Sequence, residues 1–490
     1  MNIKFLQEPE LEFGTGRHVD IRFGLMNHGP LDFSNPLAPK LIKVGMVGTP
    51  ETIEGLSRWF DTTRFGVDAK PSKQPNLFPR FPGSSQEESF RCSLLLDSQL
   101  KRSINQSVLD RIAARTSGDD LVREAVQIFL NEFRYIVENA NPDVLVCALP
   151  LSLYEAMESG GNAAQKRPKS SSISTREKGE FVSKLNFHHL LKSEAMILKK
   201  PVQIILPMTY DKLSRRRQKS RPERVKQIQD EATIAWNLHT ALYYKAGGVP
   251  WRLIRDSTQL TTCYIGVSFY HTLDRSKVMT SIGQVFNQRG EGVIVRGGTV
   301  KISKDDRQPH LSQDGARNLL VAALERYREV HRTFPARVVL HKSSSFNSDE
   351  LNGFVEAIEE NRLDHYDLIS MGESSVKLFR SGEYPVLRGT LLSLDGSTHA
   401  LYTRGGVDFF ETYPGMYAPV PLLFRCEYTT ETPASIAHEM MALTKMNWNN
   451  TQFDGREPIT IRAARQVGSI LKYIPEGEDY RIEPRYSFYM

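Results

Sequence analysis

The chain has 490 residues, of which 40% are apolar and 24% charged, with a formal net charge of +6. That length exceeds one ordinary core and implies two or three domains, while no apolar run is long enough to span a bilayer and the mild basicity permits nucleic-acid binding without arguing for it. The opening MNIKFLQEPELEF does not read as a signal peptide, and the four scattered cysteines (Cys92, Cys147, Cys263, Cys426) lack metal-ligand spacing, so they read as reduced thiols of a cytoplasmic protein.

Residues 1–40 are rich in Gly and Pro and read as an irregular arm that could dock a partner. An apolar strand is expected at 41–47. Thr49 then suits a helix N-cap and Pro50 the first helical position, and the helix at 51–60 places Ile53, Leu56 and Trp59 on one face. A long helix at 120–139 leads into a strand at 143–149, and a helix at 187–198 leads into a strand at 202–206. This βαβ rhythm predicts a parallel sheet covered by helices. Residues 159–180, almost without apolar side chains, read as a surface loop.

Past Cys263 the pattern changes. Strand-like runs at 264–271, 292–296 and 299–303 suggest an antiparallel meander. A helix at 316–331 and a strand at 337–341 follow. A hairpin at 385–403 turns at Asp395-Gly396, and helices at 433–443 and 459–473 complete the chain. Pattern alone gives an α/β fold.

The densest charge run is 211–226, DKLSRRRQKSRPERVK, in which eight of sixteen residues are Lys or Arg. Most such runs are solvated surface. This one follows a strand end, where open α/β sheets bind ligands, and a helix starting near Pro222 would offer free N–H groups to an anion.

Three stretches carry a family resemblance: WNLHTALYYKAGGVPWRL (236–253), TTCYIGVSFYH (261–271) and MNWNNTQFDGREPITIRAARQVG (446–468). Together they resemble the MID and PIWI modules of Argonaute proteins. The resemblance implies a Rossmann-like MID domain at 41–255 and an RNase H-like PIWI domain at 256–490, behind the 1–40 arm. Without a PAZ domain, the layout is similar to that of short prokaryotic Argonautes.

The resemblance also assigns roles. A guide strand's 5′-phosphate would be held by Tyr210, by a basic residue (Arg215, with Lys212 and Arg216 competing), by Gln227 or Gln229, and by Lys245, which precedes Ala246-Gly247-Gly248. Asn237 would share a helix face with Ala241 and Lys245. Ala241 stands where some relatives carry a Gln that helps to hold a metal ion, so a Mg2+ at the 5′-phosphate would lack that ligand. The tail at 486–490 resembles one that family members bury.

Two-metal phosphodiester hydrolysis needs converging carboxylates. By the same resemblance those positions are Ser268, Ser343 (after Val338-Val339-Leu340-His341-Lys342) and the 464–465 region, where Arg465 stands. A neutral hydroxyl cannot supply the charge a hard divalent cation needs. Asp274, six residues beyond Ser268, would lie roughly 20 Å away along an extended strand. Asp349 and Glu350 read as a helix N-terminus. The chain is therefore expected to bind without cutting and to hold no catalytic metal. His341, Lys342, Arg465, Asn447 and Asn449 would remain to contact a duplex backbone.

As a member of that family the protein would bind a short 5′-phosphorylated guide, RNA more than DNA, and pair it with a complementary single-stranded DNA target. Its partner would be an APAZ protein carrying a sirtuin-like, TIR or nuclease effector. The rival expectations are an active guided RNase H-like endonuclease and a non-guided nucleic-acid-binding protein.

Overall fold

The structure is a computed structural model. It describes residues 2–490 apart from 86, 117, 163–184, 212–213, 215–228, 255–259, 287–291, 293, 382–384 and 416. Two compact units emerge: a smaller one from residues 41–62 and 94–229, and a larger one from 1–40, 63–93 and 230–490. The boundaries differ from those expected, because 1–40, 63–93 and 230–255 all belong to the larger unit.

The smaller unit is built on parallel strands. Leu41–Gly48 pairs with Lys101–Ser103 on one side and Val144–Ala148 on the other, and Val144–Ala148 pairs with Val202–Ile205. Val144–Ala148 is buried along its whole length, as expected where helices cover both sheet faces. The covering helices include Gln106–Arg115, Gly118–Ala140, Leu151–Asn162 and Phe187–Ala195. At the first turn after Leu41–Gly48, the Thr49 hydroxyl accepts from Thr52 N, and the Thr52 hydroxyl reaches across to the Ala148 carbonyl. On the helix that follows, Ile53, Leu56 and Phe60 are buried and Trp59 is only half-buried, so Phe60 takes the place expected for Trp59. The expected loop at 159–180 begins inside Leu151–Asn162, and its remainder lies outside the described residues.

The larger unit carries a ten-stranded sheet. At its centre Thr262–His271 runs parallel to Arg337–Lys342, and Arg337–Lys342 runs parallel to His365–Glu373. Antiparallel neighbours extend both sides: Val278–Phe286, Val295–Ile302 and Pro309–His310 beyond Thr262–His271, and Leu422–Tyr428, Thr398–Leu401, Thr390–Ser393 and Asn2–Phe5 beyond His365–Glu373. The meander thus contains Val278–Phe286, which the sequence reading missed, and a single strand where two short ones were expected. The Asp395 turn stands as expected, its carboxylate accepting from the Ser397 and Thr398 amides.

Alternate residues of the central strands feed two cores, as the two-residue strand period requires. Val338, Leu340 and Leu368 pack with Leu320, Leu324 and Phe354 of the helices Gln313–His331 and Ser348–Glu360. Val339, Ile369 and Met371 pack with Ile436, Met440 and Ile461 of Pro433–Leu443 and Ile459–Leu471.

The first forty residues are not a separate arm. Asn2–Phe5 forms the sheet edge, Asp20 caps the helix Ile21–His28, and Leu11, Phe13, Ile21 and Leu25 are buried. Glu8 pairs with Arg388 (2.8 Å) and Lys445 (2.6 Å), and Lys445 also donates to the Pro9 and Val19 carbonyls. Spacing of these apolar residues among Gly and Pro hides the pattern, because their partners lie hundreds of residues away.

Candidate nucleic-acid interface

In the smaller unit, Val202–Ile205 ends in the turn Pro207–Thr209, which delivers Tyr210 just beyond the C-terminal edge of the parallel sheet. Gly55 leaves room for the Tyr210 ring, since a Cβ there would come within 3.0 Å of it. The Tyr210 hydroxyl is buried and has no hydrogen-bond partner among the described residues. Burial, followed by the charges of Asp211 and Glu51, raises its pKa, so it stays protonated as a donor. An unsatisfied buried donor beside a strand end is poised to take an anionic acceptor. Arg215, Gln227 and the competing Lys212 and Arg216 lie outside the described residues; Gln229 is described and exposed.

In the larger unit, Asp230 caps the helix Glu231–Lys245, and Lys245 lies in its last turn. Lys245 is 4% exposed and its amine donates to the Met490 main-chain oxygen at 3.1 Å. Burial lowers its pKa to about 7. Asn237, on the same helix, accepts from the amide and hydroxyl of Thr451, which ties the helix to the segment after Asn447. Tyr486, Phe488, Tyr489 and Met490 are all buried, as expected for the tail.

The serine positions meet. Thr262–His271 and Arg337–Lys342 run parallel with Val267 opposite Lys342, so Ser343, just past the end of the shorter strand, lies beside buried Ser268 within the longer one, and the Ser343 hydroxyl lies 3.3 Å from that of Ser268. Above them passes Ile459–Leu471. Gly266 and Ser281 permit the approach: a Cβ on Gly266 would strike the Thr460 carbonyl at 2.1 Å, and the Ser281 hydroxyl donates to the Ala464 carbonyl while lying 3.4 Å from the Ser268 carbonyl oxygen. Arg465, the next residue on that helix, is about half exposed and pairs with Glu457. Hydroxyls and main-chain oxygens line this spot; among the described residues no cluster of three His, Cys, Asp or Glu could hold a metal ion. Asp274 sits in the turn after Thr262–His271, accepting from Thr272 and Ser276.

The sequence resembles no known family closely enough for a model to match, and none of the curated proteins matches either. Solved structures do. Clostridium butyricum Argonaute, solved with a guide DNA and a 19-mer target DNA, is 16% identical with a TM-score of 0.62 over 97% of this chain and 53% of its own. The fold is that of an Argonaute. Drosophila Piwi (11% identity, TM-score 0.58, 99% of this chain and 56% of its own) agrees. So does Marinitoga piezophila Argonaute, solved with a 5′-OH guide RNA (11%, 0.55, 100% and 59%). The chain spans between half and three-fifths of the length of these Argonaute and Piwi structures.

Against that Argonaute frame three expected contacts are corrected. Lys342 does not reach the surface: its side chain is fully buried, 3.0 Å from Glu350, and donates to Ser344 and Ser345. Its parallel strand is buried at every position, so even a lysine there must find its partners inside. His341 is 1% exposed and hydrogen-bonds Thr460; burial, with Arg337 nearby, lowers its pKa to about 3, so it is a neutral core residue. Asn447 is 5% exposed, and its side chain accepts from the Asn449 amide, which leaves half-buried Asn449 as the accessible member of that pair. Asp349 and Glu350 form a helix N-terminus as read, with Asn347 and Glu350 completing a capping box. Among the described residues no helix is long and apolar enough to cross a membrane.

Proposed function

We propose that this chain holds the 5′-phosphate of a short guide strand, RNA more than DNA, and pairs it with a single-stranded DNA target without cutting. On this reading, target recognition switches on an associated APAZ protein bearing an NAD-consuming or nuclease effector, in cytoplasmic prokaryotic defence against plasmids and phage. Base pairing supplies sequence specificity, so the protein itself needs only a terminal anchor and contacts to the duplex backbone.

The observation that carries the non-cleaving half is the contact between the Ser268 and Ser343 hydroxyls. Two neutral hydroxyl oxygens do not suit a pair of divalent cations. The anchor half is supported by the buried Tyr210 hydroxyl, a donor with no partner among the described residues, at the end of a parallel strand. At Lys245, a divalent cation fits poorly: Ala241 brings no oxygen, and the amine already takes the Met490 main-chain oxygen. Lys245 itself would supply the positive charge.

The test is purification of the chain with its genomic neighbour, followed by sequencing of the bound strands and analysis of their ends. Short strands with 5′-phosphates support the reading. A matched target severed in magnesium or manganese refutes the non-cleaving half, and equal affinity for 5′-phosphate and 5′-hydroxyl guides refutes the anchor.

A further inference from the structure

One edge of the ten-stranded sheet is left open. Asn2–Phe5 pairs with Thr390–Ser393 on one side and has no strand on the other among the described residues. All four of its residues are exposed, Ile3 at 59% and Phe5 at 44%. The pairing has no bulge and the strand no proline, two usual means by which proteins blunt such an edge. Nor is the strand a loose end: Leu6 packs against the core behind it, and Glu8 pairs with buried Arg388 and Lys445.

The ladder shows what the edge offers. The Leu6 N–H donates to the Gly389 carbonyl. Bonding alternates along an antiparallel pair, so Asn2 and Lys4 also turn their main-chain groups towards Thr390–Ser393. The N–H and C=O of Ile3 and of Phe5 therefore point outward. Side chains alternate as well. Ile3 lies opposite Leu392, Leu392 opposite Ala400 and Ala400 opposite Leu423, so Ile3 carries an apolar row to the rim, and Phe5 shares its face. Lys4 stands on the other face, with no acid on Thr390–Ser393.

Lys4 decides what can be added. An antiparallel strand bonded to Ile3 and Phe5 places its middle residue directly opposite Lys4, in a non-hydrogen-bonded pair where side chains stand closest. A second copy of this chain using all the outward groups would set Lys4 against Lys4, and like charges directly opposite are destabilising. An acid in that place is favoured.

We propose that Asn2–Phe5 accepts a further antiparallel strand from the associated protein, an extended segment of apolar–acid–apolar pattern whose acid faces Lys4. The inference rests on the associated-protein part of the reading above, and on neither its guide nor its effector. Main-chain bonds to Ile3 and Phe5 hold the added strand, its apolar side chains cover those two residues, and Lys4 selects against self-pairing.

The experiment co-expresses the full chain with the product of its genomic neighbour and follows hydrogen exchange in the purified complex. The Ile3 and Phe5 amides should exchange far more slowly in the complex than in the chain alone, whereas Lys4, already bonded, should change less. Ile3→Pro removes an outward N–H, which an edge strand tolerates, so the chain alone should unfold at an unchanged temperature. Its affinity for the neighbour should fall about tenfold or more. Lys4→Glu, which keeps the strand, should also lose about tenfold by turning an opposite-charge pair into a like one. Unchanged exchange at Ile3 and Phe5, or full affinity in either variant, would overturn the proposal while leaving the association intact. A dimer of the chain alone that Ile3→Pro abolishes would overturn it in favour of a second copy. Should no complex with the neighbour form at all, the associated-protein reading fails and takes this inference with it.

Discussion

Restoring acids at the serine pair probes the non-cleaving reading most directly. In a Ser268→Asp, Ser343→Asp double variant, two carboxylates would stand where hydroxyl oxygens now lie 3.3 Å apart. Unit charges about 4 Å apart repel by roughly 4 kcal/mol at an effective dielectric of 20. Ser268 is 2% exposed, and an unpaired polar group buried there costs about 1–3 kcal/mol more. Retention of a proton by one acid relieves part of this, leaving an expected loss of about 3–5 kcal/mol at neutral pH. For a unit of this size that corresponds to a fall in Tm of about 10 °C. Millimolar Mg2+ or Mn2+ should recover much of it in the variant, because paired carboxylates suit hard cations. The wild type should not respond. Thermal unfolding of both proteins in EDTA, Mg2+ and Mn2+ reads the effect. A wild type stabilised by Mn2+ as strongly as the variant would show that the serine site already takes a metal, and the reasoning would fail. With Arg465 left in place, target cleavage should not appear in either protein.

Glu8→Gln should destabilise the larger unit by about 3–5 kcal/mol, because it leaves Arg388 and Lys445 buried without their acid; urea unfolding checks it. Burial works to raise the Glu8 pKa, but Arg388 and Lys445 outweigh it and hold it low, so the wild-type contribution is present near neutrality and should vanish as pH falls through the folded value. Tyr210→Phe removes one donor and should weaken 5′-phosphorylated guides about tenfold while sparing 5′-hydroxyl guides, by competition binding. Burial lowers the Lys245 pKa to about 7. A bound phosphate favours its charged form, so guide binding should take up a proton and weaken as pH rises from 7 to 9, an effect that calorimetry in buffers of different ionisation heat would expose. Replacing one cation of 211–226 by Ala should lower the salt slope of nucleic-acid binding by about one, whereas Lys342→Met should leave the slope alone.

What the sequence disclosed follows from the range of the forces involved. Helix caps and strand periods are local, so the 41–48 strand, the Thr49–Thr52 turn and the Asn347–Glu350 cap were readable within a few residues. The serine pair was readable through family pattern, although only folding sets Ser268 against Ser343, 75 positions further along the chain. The membership of residues 1–40 in the larger unit was not readable, because Asn2–Phe5 meets Thr390–Ser393 and Glu8 meets Arg388. The contact of His310 with Asp306 and Glu350 was equally hidden. Its acids lie on a hairpin turn and a helix N-terminus, each of which has a sufficient local explanation of its own.

The fate of the cations shows why charge counts mislead for this fold. Arg337 pairs with Asp367 and Glu439, Arg388 and Lys445 with Glu8, and Lys342 with Glu350, all at side-chain exposures of 6% or less on the cation. These groups hold strands, helices and the N-terminal segment together and add little to the field outside. A positive potential for a nucleic-acid backbone must come instead from side chains that stay in water, where charge is free to attract phosphate and release counterions. The cation-rich run at 211–226 begins one residue after Tyr210, whose donor seeks an acceptor. On the proposed reading, attraction and anchoring would fall together in sequence at the end of one parallel strand, and the serine pair in the larger unit would bring hydroxyls and no carboxylate to a phosphodiester.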